Sequence, residues 1–232
     1  MFHAILIIVV ILILLRAIHY AWISFPIITG FNAKLMCTCI FVSGRNQKDI
    51  ERSDLKKFPL NIANNKINHT DLSVTSTILG LAKKKTIYRK GIGCTLINDI
   101  TEERLRGHKF EIPLQPIQNT DRIPWPMGDK ISDSIPAAIT KHQLDAAVEK
   151  AFTEPHPRKK QRTRAVVVLY DGQLVAEKYA TGFNKNTKMY GWSVAKSITA
   201  ALIGTLVKDG KLDVSQPAPV PEWNNVTDLR HA

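Results

Sequence analysis

Residues Ala4–Leu15 run through small and aliphatic side chains without a polar interruption, and after Arg16 the apolar character resumes as far as Ile28. As a helix, the first run alone rises only about 18 Å, short of the ~30 Å hydrocarbon core of a bilayer. Joined to the second, it reaches the ~20 residues that a span needs. A cleaved signal peptide and a buried core helix are the competing readings. The first lacks Lys or Arg ahead of the apolar run and a clear small-x-small cleavage site. An uncleaved transmembrane helix fits better, with Arg16 and His19 snorkelling or paired and Tyr20 and Trp22 near an interface. Lys34, Arg45 and Lys48 follow the segment and by the positive-inside rule weigh against export of what lies beyond it.

The second constraint is Ser193-Val-Ala-Lys196, which puts a hydroxyl and an amine one helical turn apart. Val194, Ile198, Leu202 and Leu206 recur every four residues and predict a helix with that stripe in the core. Lys208 and Gly210 supply the stop signal. Ser193 then sits at the helix N-terminus, where free N–H groups and the dipole favour developing negative charge. Lysine in a dry site loses its proton more easily and can serve as the base that activates a serine. The spacing alone is weak: Ser53-Asp-Leu-Lys56 repeats it beside Glu51, Arg52 and Lys57, and reads as a solvated helix start with Ser53 as N-cap.

The surroundings of Ser193 are more telling. Arg164-Ala-Val-Val-Val-Leu-Tyr170 and Gln173-Leu-Val-Ala-Glu-Lys-Tyr179 flank Asp171-Gly172, a strong hairpin signal. The order is strand, tight turn, strand, short loop, then a helix opening with Ser-x-x-Lys. Through Thr163–Ala180, Gly191-Trp-Ser-Val-Ala-Lys-Ser197 and Lys208-Asp-Gly-Lys-Leu-Asp-Val214, the chain resembles the serine hydrolases related to class C β-lactamases and D-alanyl-D-alanine peptidases. Trp125-Pro-Met-Gly-Asp129 and Pro219-Val-Pro-Glu-Trp223 are similar to segments of its membrane-associated branch. The resemblance is good from about residue 120 onward and vaguer over residues 30–110.

That resemblance implies an α+β fold, a partial β-lactamase/transpeptidase-like domain with helices packed on an antiparallel sheet. It implies that Ser193 is the acylated nucleophile, Lys196 its proton-transfer partner, and the Ser193 N–H half of an oxyanion hole. The implied substrates are amides or esters: β-lactams, cell-wall peptides or small esters and amides. No cofactor is implied. The family's Tyr-x-Asn and Lys/His-x-Gly elements do not follow Ser197, and Tyr190, which precedes the serine, reads as a loop aromatic. The expectation is therefore the N-terminal portion of a larger hydrolase, membrane-anchored, with its catalytic part on the periplasmic or extracellular side. The alternatives are an inactive anchored relative with a binding role, and a basic anchored protein in which Ser-x-x-Lys is incidental.

Cys37, Cys39 and Cys94 leave one thiol over if either of the first two bridges to the third. Cys-x-Cys is too tight for common zinc spacing, no fourth ligand is evident, and the scattered histidines form no ligand pattern, so no metal is expected. Met36 sits where a lipidation site before Cys37 would want a small residue. The net charge of +12 owes much to Lys83-Lys-Lys85 with Arg89-Lys90 and to Arg158–Arg164. These runs read as solvated faces, with attraction to anionic lipid next; they lack interleaved aromatics and any recognised module, so nucleic acid is not an expected partner. The organisation follows: an anchor at 1–29, a small mixed module at 30–110 with a helix near Asp49–Lys57 and a strand pair near 86–98, a proline-rich extended linker at 111–138, and the incomplete hydrolase domain at 139–232. Within the last, Thr140 with Gln143 has the form of a capping box opening a helix to Phe152.

Overall fold

The computed structural model describes residues 2–109, 120–218 and 220–223. The chain divides into two units, Met1–Lys188 and Met189–Ala232. In the first unit the apolar N-terminus forms one helix, α1 (Phe2–Cys37), which by length and composition is able to cross a membrane, its most apolar 18 residues having a mean hydropathy of 2.5. Its described side chains are almost all exposed up to Ile27, and from Ile28 the helix is largely buried. No break separates the two stretches, so the expected boundary at residue 29 falls inside a continuous helix. Pro26 has no N–H to give the ladder, and the Thr29 hydroxyl lies 3.0 Å from the Phe25 carbonyl and 2.6 Å from that of Ala82.

The buried end of α1 packs on an antiparallel meander of β1 (Asn64–Asn68), β2 (Ser73–Ile78), β3 (Leu81–Arg89) and β4 (Gly93–Leu96). The predicted strand pair is β3 and β4, but β3 begins at Leu81, and β1 and β2 were not anticipated. Both are rich in Asn, Ser and Thr, so no apolar alternation marks them. Leu35, Met36, Cys37, Cys39, Ile50, Leu55, Val74 and Cys94 form the core. Cys37 bridges to Cys94, tying α1 to β4, and Cys39 stays a buried free thiol. A π-helical turn (Thr38–Val42) then leads to α2 (Gln47–Ser53).

α2 starts two residues before the stretch near Asp49–Lys57 that the sequence suggests, and ends four residues before that stretch does. Asn46 is its N-cap, accepting from the Lys48 N–H at 2.9 Å. Ser53 is therefore not an N-cap but the last residue of the helix, its hydroxyl donating to the Asp49 carbonyl at 2.6 Å. The polar Asn-Gln-Lys-Asp run ahead of it supplies the better cap. Beside it Arg45, 9% exposed at its side chain, pairs with Asp49 at 2.6 Å and Asp54 at 2.7 Å. Arg164, just ahead of the second sheet, reaches Asp54 from the other side at 3.1 Å.

The second sheet is the predicted hairpin, β5 (Ala165–Tyr170) and β6 (Gln173–Tyr179). Asp171 and Gly172 both take positive φ, +46° and +72°, as a two-residue turn with matching twist requires. α4 (Lys141–Ala151) follows α3 (Glu102–Gly107) in chain order and packs on β6, where Lys178 lies 5.1 Å over the Phe152 ring and pairs with Glu149. Thr140 does occupy the N-cap position of α4, yet its side chain makes no capping bond; its carbonyl accepts from Gln143 and Leu144 at 3.0 Å each. The described part of the proline-rich stretch lies along β6, with the Ser132 N–H donating to the Leu174 carbonyl at 2.8 Å. The rest of that stretch, 110–119, lies outside the described residues.

Candidate active site

The second unit holds α5 (Val194–Lys208) and the turns on either side of it. Helical propensity carries the segment through Ala195, Ala200 and Ala201, and the predicted stop is formed. The Lys211 N–H donates to the Leu206 carbonyl at 2.9 Å and the Gly210 N–H to Val207 at 3.0 Å, with Gly210 at φ +67°. This paired closure satisfies the last carbonyls of the helix and needs a residue tolerant of positive φ.

At the other end, the chain enters through Gly191-Trp192-Ser193. Trp192 rather than Gly191 takes the positive φ, +45°. A bulky residue in that region costs roughly 1–2 kcal/mol, and such outliers gather where function dictates backbone geometry. The Trp192 ring is held edge-on against Tyr190, centroids 4.9 Å apart. Sequence reasoning placed Tyr190 in a loop, as found, but had no signal for the conformation of Trp192. The first helical turn is tight: Val194, Ala195 and Lys196 N–H groups donate to the carbonyls of Gly191, Trp192 and Ser193 at 2.9, 3.3 and 3.0 Å.

Ser193 is the residue flanking α5, and its side chain makes no capping bond. Instead, Lys196 Nζ donates to Ser193 Oγ at 3.2 Å. The two residues singled out by sequence are thus brought within hydrogen-bond reach, at the positive end of the helix dipole. Both side chains are exposed to solvent. So is the stripe expected in a core: Val194, Ile198 and Leu202 are 61%, 58% and 61% exposed. The four-residue period is real, but the described part of this unit contains no sheet or second long helix to cover it.

The carboxyls held below their usual range lie elsewhere. Burial would raise the Asp54 carboxyl, but hydrogen bonds from Arg45 and Ser53 and the charges of Arg45 and Arg164 outweigh it and hold it below the usual carboxylate range. Glu102 is held low by a hydrogen bond from Lys85 and by Arg106, and Asp71 by Ser73 and Lys85. These pairs sit between secondary-structure elements and read as structural. Among the described residues, no three His, Cys, Asp or Glu side chains cluster as metal ligands would.

No solved structure matches the chain. The family model for Beta-lactamase matches residues 145–228, a span that takes in most of α4, the hairpin, the Trp192-Ser193 entry and all of α5. The match coincides with the Ser-x-x-Lys helix and the hairpin ahead of it, so that this stretch of the chain is similar to the Beta-lactamase family over residues 145–228.

Proposed function

We propose that this chain carries the acylation half of a membrane-anchored serine hydrolase that opens an amide or ester bond through an acyl-Ser193 intermediate. The observation that supports it most is the 3.2 Å contact between Lys196 Nζ and Ser193 Oγ at a helix N-terminus inside the Beta-lactamase match. In this reading the neutral Lys196 amine takes the Ser193 hydroxyl proton as Oγ attacks the substrate carbonyl carbon. The tetrahedral oxyanion forms beside the Ser193 backbone N–H at the positive end of α5, and the proton on Lys196 passes to the leaving nitrogen or oxygen as the bond breaks. Ser193 and Lys196 are both exposed, so a substrate carbonyl can reach them directly. Substrates of the expected class are β-lactams, cell-wall peptides and small esters or amides.

The disulfide between Cys37 and Cys94 supports placing the part beyond α1 on the extracytoplasmic side, because such bridges persist in oxidising compartments. The exposure of Ser193 and of the α5 stripe favours one second reading, a relative that binds without turnover. Intact-mass measurement after incubation with a fluorophosphonate and a fluorescent penicillin separates the two. Acylation predicts a mass gain on the wild-type chain that Ser193→Ala abolishes and Lys196→Ala slows by about 10²-fold or more, the scale of a lost acid–base group. An unlabelled wild-type chain rules out acylation and leaves the binding reading.

A further inference from the structure

The turn between β2 and β3 is a two-residue loop of Leu79 and Gly80, with φ +50° and +75°. Both positions require the left-handed region, for which Asn-Gly or Asp-Gly is the usual choice in water. Here the first position is a leucine, 88% exposed, and Leu81 beyond it is 57% exposed. An isolated surface leucine is ordinary. A leucine that also bears the strain of a left-handed backbone, where a small polar residue would sit unstrained, asks for apolar surroundings.

The position of the tip supplies them. A bulge follows the turn: Ser76 pairs with Lys84 but Ile78 with Leu81, and Ala82 turns to φ +47°. The Ala82 carbonyl accepts from Thr29 Oγ1 at 2.6 Å, which fixes the tip against α1. From there the hairpin reaches back along the helix. Leu81 and Ala82 face Ile18, Ala21, Trp22, Phe25 and Pro26 across an apolar groove of about 270 Å³. Thr29 to Trp22 is seven residues, about 10 Å of helix toward the lipid-facing end. A ~20-residue span counted from Ile5 ends near Ser24. The hairpin tip therefore lies level with the last turns of the span, beside Trp22.

We infer that the Leu79-Gly80-Leu81 turn is a second membrane contact, dipping into the acyl boundary of the bilayer beside α1, with the groove between them filled by a lipid chain. The inference rests on α1 spanning the membrane, and it does not depend on the chemistry at Ser193. The apolar face of the tip is continuous with the exposed face of α1, so one bilayer covers both. Lys83, exposed one residue past the bulge, stands at headgroup level.

The test uses the full chain reconstituted in phosphatidylcholine–phosphatidylglycerol vesicles, with single cysteines labelled by an environment-sensitive NBD dye and the unsubstituted chain as background. Leu79→Cys is the probe. Leu12→Cys, 57% exposed on α1, is the lipid reference. Thr70→Cys, in the turn at the other end of β2, is the aqueous one. The expected result is that the dye at 79 behaves like that at 12: several-fold brighter than at 70, quenched by lipid-borne nitroxide and protected from aqueous iodide. Leu81→Cys carries the same expectation without touching the turn. Iodide quenching at 79 and 81 equal to that at 70, with 12 still protected, overturns the inference and leaves the anchor intact. Iodide quenching at 12 as well removes the anchor reading and this one with it. Protection from iodide without nitroxide quenching means protein covers the tip, which also overturns it.

Discussion

Arg45 shows how a single side chain can decide the local architecture. Nearly buried, it joins the end of the π-helical turn to Asp49, Ser53 and Asp54, and Asp54 in turn receives Arg164 from the start of the hairpin. Truncating it leaves Asp54, 17% exposed, without its main partner. Arg45→Ala is expected to cost about 2–4 kcal/mol, near the lower end for breaking a buried pair because Asp49 faces solvent. Thermal unfolding in detergent measures this directly. The same network sets an acid limit. The Asp54, Asp71 and Glu102 carboxyls all titrate lower folded than unfolded, so their stabilisation is fully present above about pH 4 and is lost as pH falls below it. Replacing Asp54 by Asn should therefore lower Tm at pH 6 more than at pH 3; a gap that stays constant over that range contradicts the assignment.

Among the elements, α1 and α5 look alike in sequence and differ in surroundings. Met36 in α1 is fully buried, and Met36→Ala is expected to cost roughly 2–5 kcal/mol, whereas Leu202→Lys on the exposed α5 stripe should change unfolding by less than about 0.5 kcal/mol. A large loss from Leu202→Lys would mean that the stripe is covered after all. The comparison marks where sequence reading succeeds. The 165–179 hairpin, the extent of α5 and its Gly210 stop, and the Ser193–Lys196 approach follow from local rules of turn, cap and period. β1 and β2 do not, because Asn64-Asn-Lys-Ile-Asn68 and Ser73-Val-Thr-Ser-Thr-Ile78 become strands by pairing with each other, β2 also with β3, and by packing under α1. The N-cap of α2 is Asn46 and not Ser53, because the Asn46 side chain accepts from the Lys48 N–H while Ser53 lies at the last turn, bonded to the Asp49 carbonyl. Nor does any local rule show that Trp192 would carry the positive φ at the entry to α5, since Gly191 beside it is the easier choice.

At the scale of the molecule, the Cys37–Cys94 bridge closes a separation of 57 residues across the first unit. Chain-entropy arguments put the stabilisation from such a loop at about 4 kcal/mol. Cys94→Ser is expected to lower unfolding stability by about 2–4 kcal/mol, and reduction of the wild-type chain should produce a similar shift; equal stability with and without reductant would count against the bridge. The unbroken course of α1 has its own consequence. The residues facing outward and those in the core belong to one rod, with no swivel between them. Set in a bilayer, the first unit can spin about the membrane normal and drift sideways, but it cannot tumble. Its search for anything it meets becomes a planar one, with two coordinates and an azimuth in place of three coordinates and three angles. Local concentration at that surface, rather than bulk concentration, then governs how often an encounter occurs.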